Sequence, residues 1–295
     1  MDVITEKPIT RYCGRFAPSP TGPLHAGSLV AALASWLDAR ANGGRWFLRI
    51  EDVDVPRSVP GAADQIRRQL LACGLEWDDE VPAQRVRTQH YQAALETLLD
   101  RQHAYACACT RKQLEGQPLA SDGARRYPGT CREGLPAGIE GRAIRFKVQA
   151  GELCFDDRWL GMQCLDVSQD CGDFVLLRAD GWFAYQLAVV VDDAEQGVTH
   201  VVRGRDLLTS TPRQIQLLQA LSYIVPSYMH VPLVLNAAGE KLSKQTQAPA
   251  LVPEQASKDI YAAMKTLQLP MADDLERWPV AEQLGWAIQH WPHRA

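Results

Sequence analysis

The sequence lacks a run of apolar residues long enough to cross a bilayer, and Met1 to Thr10 lacks the apolar segment of a secretory signal. It has neither the Gly-x-x-x-x-Gly-Lys spacing of a P-loop nor the Gly-x-Gly-x-x-Gly pattern. Internal repeats and low-complexity segments are also missing. These absences argue against membrane partners, secretion, and the kinase and dehydrogenase classes, and they predict a cytoplasmic protein.

What remains is an ordinary globular composition. The chain has 295 residues, 46% of them hydrophobic and 22% charged, which is enough for one large or two modest domains. A net charge of −4 argues against non-specific nucleic-acid binding by the whole molecule. Residues 101–132 nevertheless carry six Lys or Arg against two acids. This local excess is either a solvated surface or a contact for an RNA backbone, and charge alone favours neither.

The eight cysteines predict reduced thiols and a metal site, because no secretory signal supports a disulfide framework. Cys107, Cys109 and Cys131 offer three thiolates, and thiolates suit tetrahedral zinc. Tyr127 and His103 compete as the fourth ligand. With all four positions filled, the metal would be structural. The remaining cysteines are expected to be buried or inert: Cys13, Cys73, Cys154, Cys164 and Cys171.

A Pro- and Gly-rich stretch from Pro18 to Ser28 separates a predicted strand, Tyr12 to Phe16, from a helix with apolar residues on one face. Small residues let a ligand approach the backbone, and a helix start near Gly27 and Ser28 would offer unpaired N–H groups to phosphate. His25 lies beside that start. An ordinary loop capped by Ser28 is the alternative.

The order of predicted elements favours an α/β fold with a Rossmann-like parallel-sheet core. Residues 11–99 would form its first half and 184–250 its second half. Residues 100–183 would be an insertion with the zinc site and an acceptor-like subdomain, and 251–295 a short helical tail. Ligands of such sheets bind beyond the carboxyl ends of the strands, where both the Pro/Gly stretch and Glu51 fall.

Lys241 and Lys244 flank Ser243 on a predicted loop and offer two ammonium groups to phosphates. A lysine-rich surface loop is the alternative, and taken alone it is the better interpretation. Together with the Pro/Gly stretch, the two lysines favour a site for a nucleoside triphosphate.

Four motifs then occur in order: Arg15-Phe-Ala-Pro-Ser-Pro-Thr-Gly22 with Leu24-His-Ala-Gly27, Arg49-Ile-Glu-Asp52, Thr199-His-Val-Val-Arg-Gly204, and Lys241-Leu-Ser-Lys244. Over about residues 11–250 they resemble class I aminoacyl-tRNA synthetases of the glutamyl/glutaminyl branch. A short tail stands where full glutamyl enzymes carry a large anticodon-binding region. The pattern is therefore similar to the truncated glutamyl-queuosine tRNA(Asp) synthetases.

This resemblance implies ATP-dependent activation of L-glutamate without tRNA, followed by transfer to the queuosine base at the wobble position of tRNA(Asp). The implied partners are ATP, L-glutamate and the tRNA(Asp) anticodon stem-loop, with Mg²⁺ accompanying ATP and one structural Zn²⁺. The alternatives are a truncated glutamyl-tRNA synthetase that charges a tRNA 3′ end and a non-catalytic, zinc-stabilised RNA-binding paralogue.

The resemblance also assigns residues, while leaving open which arginine binds which glutamate carboxylate. Structural ion pairs remain the alternative for Arg203 and Glu51. Catalysis falls to His25 and Lys244, and ATP binding to His25, Gly27, Ser28, Lys241 and Lys244. Glutamate binding falls to Arg15, Ala17, Ser19, Glu51, Tyr185 and Arg203, and the zinc site to Cys107, Cys109, Tyr127 and Cys131.

Overall fold

The computed structural model describes residues 12–235 and 249–293. Across these residues, none of the helices is both long and apolar enough to cross a membrane. The strands are β1 (Cys13–Phe16), β2 (Arg45–Leu48), β3 (Asp79–Glu80), β4 (Ala104–Cys107), β5 (Ala143–Phe146), β6 (Leu153–Asp157), β7 (Gly161–Leu165), β8 (Val175–Leu177), β9 (His200–Gly204) and β10 (Ser227–Val231). The α-helices are α1 (Ala26–Ala41), α2 (Ala62–Ala72), α3 (Thr88–Asp100), α4 (Arg111–Leu114), α5 (Val167–Asp170), α6 (Tyr185–Glu195), α7 (Thr211–Ala220), α8 (Ala256–Thr266) and α9 (Val280–Gln289).

Parallel strands form the centre of the fold. β1, β2 and β3 pair in that order, and both pairings are parallel. β6, β10 and β9 are also parallel neighbours, with β7 antiparallel at the outer edge of β6. The two groups meet where the Thr199 amide donates to the Cys13 carbonyl at 2.9 Å. The predicted α/β fold with a parallel sheet is confirmed, and the carboxyl ends of β1 and β9 lie side by side.

The segment 100–183 contributes to two sheets. β6 and β7 join β10 in the parallel core, whereas β4, β5 and β8 form a separate antiparallel sheet. The cysteine cluster described below begins at the end of β4. The proposed limits of the insertion stay predictions.

Helix α1 is central to the packing. It is apolar almost all round, as expected for a helix covered on every side, and Leu29, Leu33 and Leu37 are fully buried. Asp38 on the same helix accepts two hydrogen bonds from Arg158, at 2.6 and 2.8 Å, and one from the Trp291 indole at 2.9 Å. Helices α8 and α9 pack against α1 in the same hydrophobic core, and the Trp291 bond attaches the segment after α9 to it.

One expectation about the cysteines is wrong. Cys154 and Cys164 form a disulfide and are both exposed, instead of being buried or inert thiols. They lie directly opposite each other on the hairpin of β6 and β7, with their Cα atoms 4.1 Å apart. Residues facing across an antiparallel pair are close enough to bond. Cys13, Cys73 and Cys171 are buried, as predicted.

Candidate active site

His25 is the N-cap of α1 and forms a capping box with Ser28. Its Nδ1 accepts hydrogen bonds from the amides of Gly27, at 3.1 Å, and Ser28, at 3.4 Å. The prediction of unpaired amides at this helix start is therefore wrong, because the imidazole engages both. A neutral ring whose Nδ1 accepts carries its proton on Nε2. His25 thus offers a donor nitrogen at the loop between β1 and α1.

A cavity of about 350 Å³ lies at the carboxyl ends of β1 and β9. A second cavity, of about 340 Å³, adjoins it and is lined by Glu51. Residues that line both include Ala17, Ser19 and Tyr185, so the two cavities share a wall. The first is also lined by Arg15, His25, Gly27, Ser28 and Arg203.

The structure thus brings together every predicted ATP- and glutamate-binding residue that it describes. Lys241 and Lys244 lie outside the described residues. The arrangement follows from the fold, since adjacent parallel strands deliver their final residues to one edge of the sheet.

Glu51 and Arg15 belong to a buried cluster of charges built around Arg49. The Nη2 of Arg49 donates to Glu51 at 3.1 Å and lies 2.7 Å from Asp193. Asp193 in turn accepts from Nε of Arg15 at 3.1 Å. The ion pair that was the alternative interpretation of Glu51 is present. Arg49 connects both predicted glutamate ligands on this side of the site.

Burial and the neighbouring arginines act in opposite directions on the two carboxyls. Burial raises the pKa of Glu51, and Arg49 and Arg15 only partly oppose it. Burial would also raise the pKa of Asp193, but Arg15 and Arg49 together hold it below its usual value. Asp193 is thus a firmly ionised anchor for Arg15. For Glu51, Arg49 is the larger of the two opposing effects, so losing Arg49 would raise the pKa of Glu51 further.

Arg203 has a different environment, with neutral partners. Its Nη1 donates to the Gln214 side chain at 2.8 Å and its Nη2 to the Thr211 hydroxyl at 2.7 Å. Its Nε donates to Nε2 of His230 at 3.0 Å. Within residues 12–235 and 249–293, no carboxylate forms an ion pair with Arg203. The structural ion pair considered for Arg203 is not found there.

The Cys107, Cys109 and Cys131 sulfurs lie within 4.8 Å of one another and can hold a metal ion. The Tyr127 hydroxyl lies 3.4 Å from the Cys107 sulfur and 3.6 Å from the Cys109 sulfur. His103 is not a member of this group. Three sulfurs and a phenol oxygen suit tetrahedral coordination, so the geometry favours Tyr127 as the fourth ligand.

Arg145, which sequence reasoning missed, supports the cysteine cluster. Its guanidinium lies 3.8 Å from the centre of the Tyr127 ring, and its Nε donates to the Cys107 sulfur at 3.3 Å. Burial would raise the pKa of Cys131, but hydrogen bonds from Tyr127, the Ala108 amide and neighbouring thiols lower it to about 7. The adjacent guanidinium of Arg145 suits a thiolate at Cys107.

Residues 13–273 match a family model described as tRNA synthetases class I (E and Q), catalytic domain. A protein of Dechloromonas aromatica (strain RCB) is 54% identical, over 95% of this chain and 94% of its own length. One of Bordetella bronchiseptica is 60% identical, over 87% of this chain and 82% of its own length. Both are named glutamyl-Q tRNA(Asp) synthetase. The chain belongs to the glutamyl-Q tRNA(Asp) synthetase family.

Two solved structures of glutamate-tRNA synthetases are similar to this member of the glutamyl-Q tRNA(Asp) synthetase family. The glutamate-tRNA synthetase of Elizabethkingia anophelis superposes with a TM-score of 0.77 and 28% identity, over 93% of this chain. A glutamate tRNA ligase from Elizabethkingia meningosepticum CCUG26117, in complex with its amino acid, superposes with a TM-score of 0.78 and 26% identity, over 97% of this chain. The chain spans only 65% and 66% of their respective lengths.

Proposed function

We propose that this protein activates glutamate with ATP and transfers the glutamyl group to the queuosine base of tRNA(Asp). One observation carries the proposal: two arginines and a carboxylate converge with His25 on two adjoining cavities. A dicarboxylic amino acid presents two anions and one cation, which is the complement of Arg15, Arg203 and Glu51. The names of the family's members supply the acceptor.

In the first half-reaction, a glutamate carboxylate oxygen attacks the α-phosphorus of ATP and pyrophosphate leaves. Little proton transfer is needed, so positioning and charge stabilisation supply most of the catalysis. His25 lines the first cavity, and we propose that it binds a phosphate oxygen through Nε2. Lys241 and Lys244 are proposed to bind the triphosphate, with Lys244 neutralising the leaving charge. Mg²⁺ accompanies ATP.

For glutamate itself, we assign one carboxylate to Arg203 and the α-ammonium to Glu51. Arg15 is held by Asp193 and faces the same cavity as Arg203. Tyr185 contributes its hydroxyl from the shared wall. Ala17 and Ser19 line both cavities, where small side chains leave room for the amino acid.

In the second half-reaction, a hydroxyl of the queuosine cyclopentenediol attacks the acyl carbon of the glutamyl adenylate. The C–O bond to the phosphate breaks, AMP leaves with the electron pair, and the hydroxyl proton passes to solvent. The tRNA(Asp) anticodon stem-loop is the proposed RNA partner. Since ATP and tRNA are its substrates, we place the reaction in the cytoplasm.

The cysteine cluster is proposed to bind one structural Zn²⁺ through Cys107, Cys109, Tyr127 and Cys131. Such an ion cross-links the end of β4 to the segment that carries Tyr127 and Cys131. None of the four residues lines either cavity at the carboxyl ends of the strands. The ion would therefore stabilise the fold and take no part in the chemistry.

ATP–pyrophosphate exchange tests the first half-reaction. Glutamate should support exchange without any RNA, and aspartate and glutamine should not. Absence of exchange with glutamate would favour the RNA-binding paralogue.

Transfer is tested with radiolabelled glutamate and two preparations of tRNA(Asp), one with queuosine and one without it. Only the queuosine-containing tRNA should be labelled. Labelling of queuosine-free tRNA would favour the alternative enzyme, which charges the 3′ end. Periodate oxidation of that tRNA before the reaction then abolishes the labelling, because it destroys the 3′ diol.

A further inference from the structure

Three adjacent parallel strands each contribute one side chain to a buried chain of hydrogen bonds. Arg203 on β9 lies directly beside His230 on β10, and β10 pairs with the end of β6 at Asp157. Nδ1 of His230 and Oδ2 of Asp157 are 2.6 Å apart, and Nε of Arg203 donates to Nε2 of His230 at 3.0 Å. Exposure of the three residues is 1% for Asp157, 0% for His230 and 5% for Arg203.

The carboxylate determines the tautomer of the imidazole. Ionised Asp157 can only accept hydrogen bonds, so the ring nitrogen that faces it must carry a proton. A neutral His230 then has a lone pair on Nε2, and this lone pair accepts the Nε proton of Arg203. Oδ1 of Asp157 is engaged separately by the amides of Leu160, at 2.9 Å, and Trp159, at 3.1 Å.

We propose that Asp157 and His230 are positioning residues that orient Arg203 for the carboxylate of the amino-acid substrate without bonding a carboxylate directly to its guanidinium. This inference rests on the proposed function, because it deepens the role assigned to Arg203. A carboxylate bonded directly to the guanidinium would orient it equally well, but would cancel the charge that attracts the substrate. The imidazole keeps the Asp157 carboxylate one side chain away from Arg203.

Arg15 illustrates the contrast within the same cavity. Two of its nitrogens donate to the Asp193 carboxylate, at 3.1 and 3.4 Å. Its charge is therefore already paired, and Arg203 is the stronger site for an incoming anion. Burial lowers the pKa of His230, which agrees with a neutral imidazole. The groups that accept hydrogen bonds from Arg203 are His230, Gln214, Thr211 and the Leu207 carbonyl, all uncharged in this state.

The variant Asp157→Asn tests the chain of hydrogen bonds at the end farthest from Arg203. With the Asn oxygen held by the Leu160 and Trp159 amides, its NH₂ group faces His230 and favours the tautomer protonated on Nε2. Two N–H groups would then oppose each other between His230 and Arg203. We expect KM for glutamate in exchange to rise about tenfold or more, because a buried donor loses its acceptor. KM for ATP should change less than about twofold, since no ATP contact is altered.

The matched control is Asp156→Asn, the same change at the exposed neighbouring residue of β6. A second pair of variants separates positioning from packing. His230→Gln keeps an acceptor for Arg203, whereas His230→Leu fills the site with an apolar side chain of similar size. If the hydrogen bond matters, Gln should retain a lower KM for glutamate than Leu. If only packing matters, the KM for glutamate of His230→Leu should be equal to or lower than that of His230→Gln.

Direct glutamate binding and thermal denaturation are measured alongside exchange. The inference is overturned if Asp157→Asn folds with an unchanged glutamate KM, if glutamate and ATP KM rise equally, or if Leu matches Gln at position 230. Should Asp157→Asn fail to fold, the two His230 variants decide. Failure of the wild type to exchange with glutamate overturns the proposed function, and this inference with it. If the wild type exchanges normally with glutamate but the variants keep its glutamate KM, this inference is overturned and the proposed function stands.

Discussion

Replacing Arg49 with methionine should weaken both the fold and glutamate binding. Arg49 is fully buried and lies 3.1 Å from Glu51, 2.7 Å from Asp193 and 3.9 Å from Asp192. Methionine fills much of the volume but supplies no charge. Asp192 keeps Arg87 at 2.6 Å, and Asp193 keeps Arg15. In the described residues, Glu51 keeps no other ion pair.

The cost can be estimated from the buried charges. Removing one partner of a buried ion pair typically costs about 3–5 kcal/mol, because the other charge stays buried without compensation. For a large domain, each kcal/mol lowers Tm by about 2–4 °C, so Arg49→Met should lower Tm by about 6 °C or more. Because burial already raises the pKa of Glu51, loss of Arg49 raises it further. In its proposed role, a protonated Glu51 would no longer attract the α-ammonium of glutamate.

Urea denaturation and ATP–pyrophosphate exchange measure the two effects separately. The matched control is Arg277→Met, because that side chain is 77% exposed and its pair with Asp274 is 3.5 Å long. An exposed pair of this kind contributes at most about 1 kcal/mol. We expect Arg49→Met to raise KM for glutamate and to leave KM for ATP nearly unchanged. Stability within about 1 kcal/mol of wild type, or an unchanged glutamate KM, would refute the reasoning.

Three further predictions concern protonation, metal binding and backbone space. Because burial raises the pKa of Glu51, lowering the pH through that raised pKa neutralises it, so a pH profile of exchange should show glutamate KM rising towards acid while ATP KM does not. Tyr127→Phe keeps three thiolates and should lose less metal than Cys131→Ser, as measured by elemental analysis and chelator competition. Metal content and chelator resistance equal to wild type in Tyr127→Phe would remove the phenol from the ligand set. Gly172→Ala should lower Tm, because a Cβ there would lie 2.4 Å from the Tyr127 carbonyl oxygen. Gly123→Ala is its control, with a similarly positive φ of 79° and nothing within 4 Å, and an equal effect would point to φ alone.

Local pattern was sufficient to predict most of the elements. The strand predicted over Tyr12 to Phe16 lies at Cys13–Phe16. The loop before α1 was predicted from its prolines and glycines, and the end of β2 placed Glu51 at the site. Each of these signals is contained within about fifteen consecutive residues. Short-range periodicity reports such elements well.

Pairing between distant strands was not visible in the sequence. The sequence analysis assigned no role to His230, and nothing local indicated that Asp157, 73 positions away, would contact it. The same limit explains the disulfide. Cys154 and Cys164 face each other only because β7, which the sequence analysis did not predict, turns back along β6. The expectation that both cysteines are buried or inert failed because they lie on the solvent-exposed face of the β6–β7 hairpin.

Two consecutive residues at the end of β6 connect the site of Arg203 with helix α1 and the C-terminal segment. Asp157 contacts His230 behind the cavity, and the next residue, Arg158, bonds to Asp38 on α1 and to the His293 carbonyl. Asp38 also accepts from the Trp291 indole. The C-terminal segment therefore fixes the position of Arg158 and, through one peptide bond, that of Asp157. With Asp157 in its proposed positioning role, the residues around 291–293 would support the geometry of Arg203 without lining the cavity.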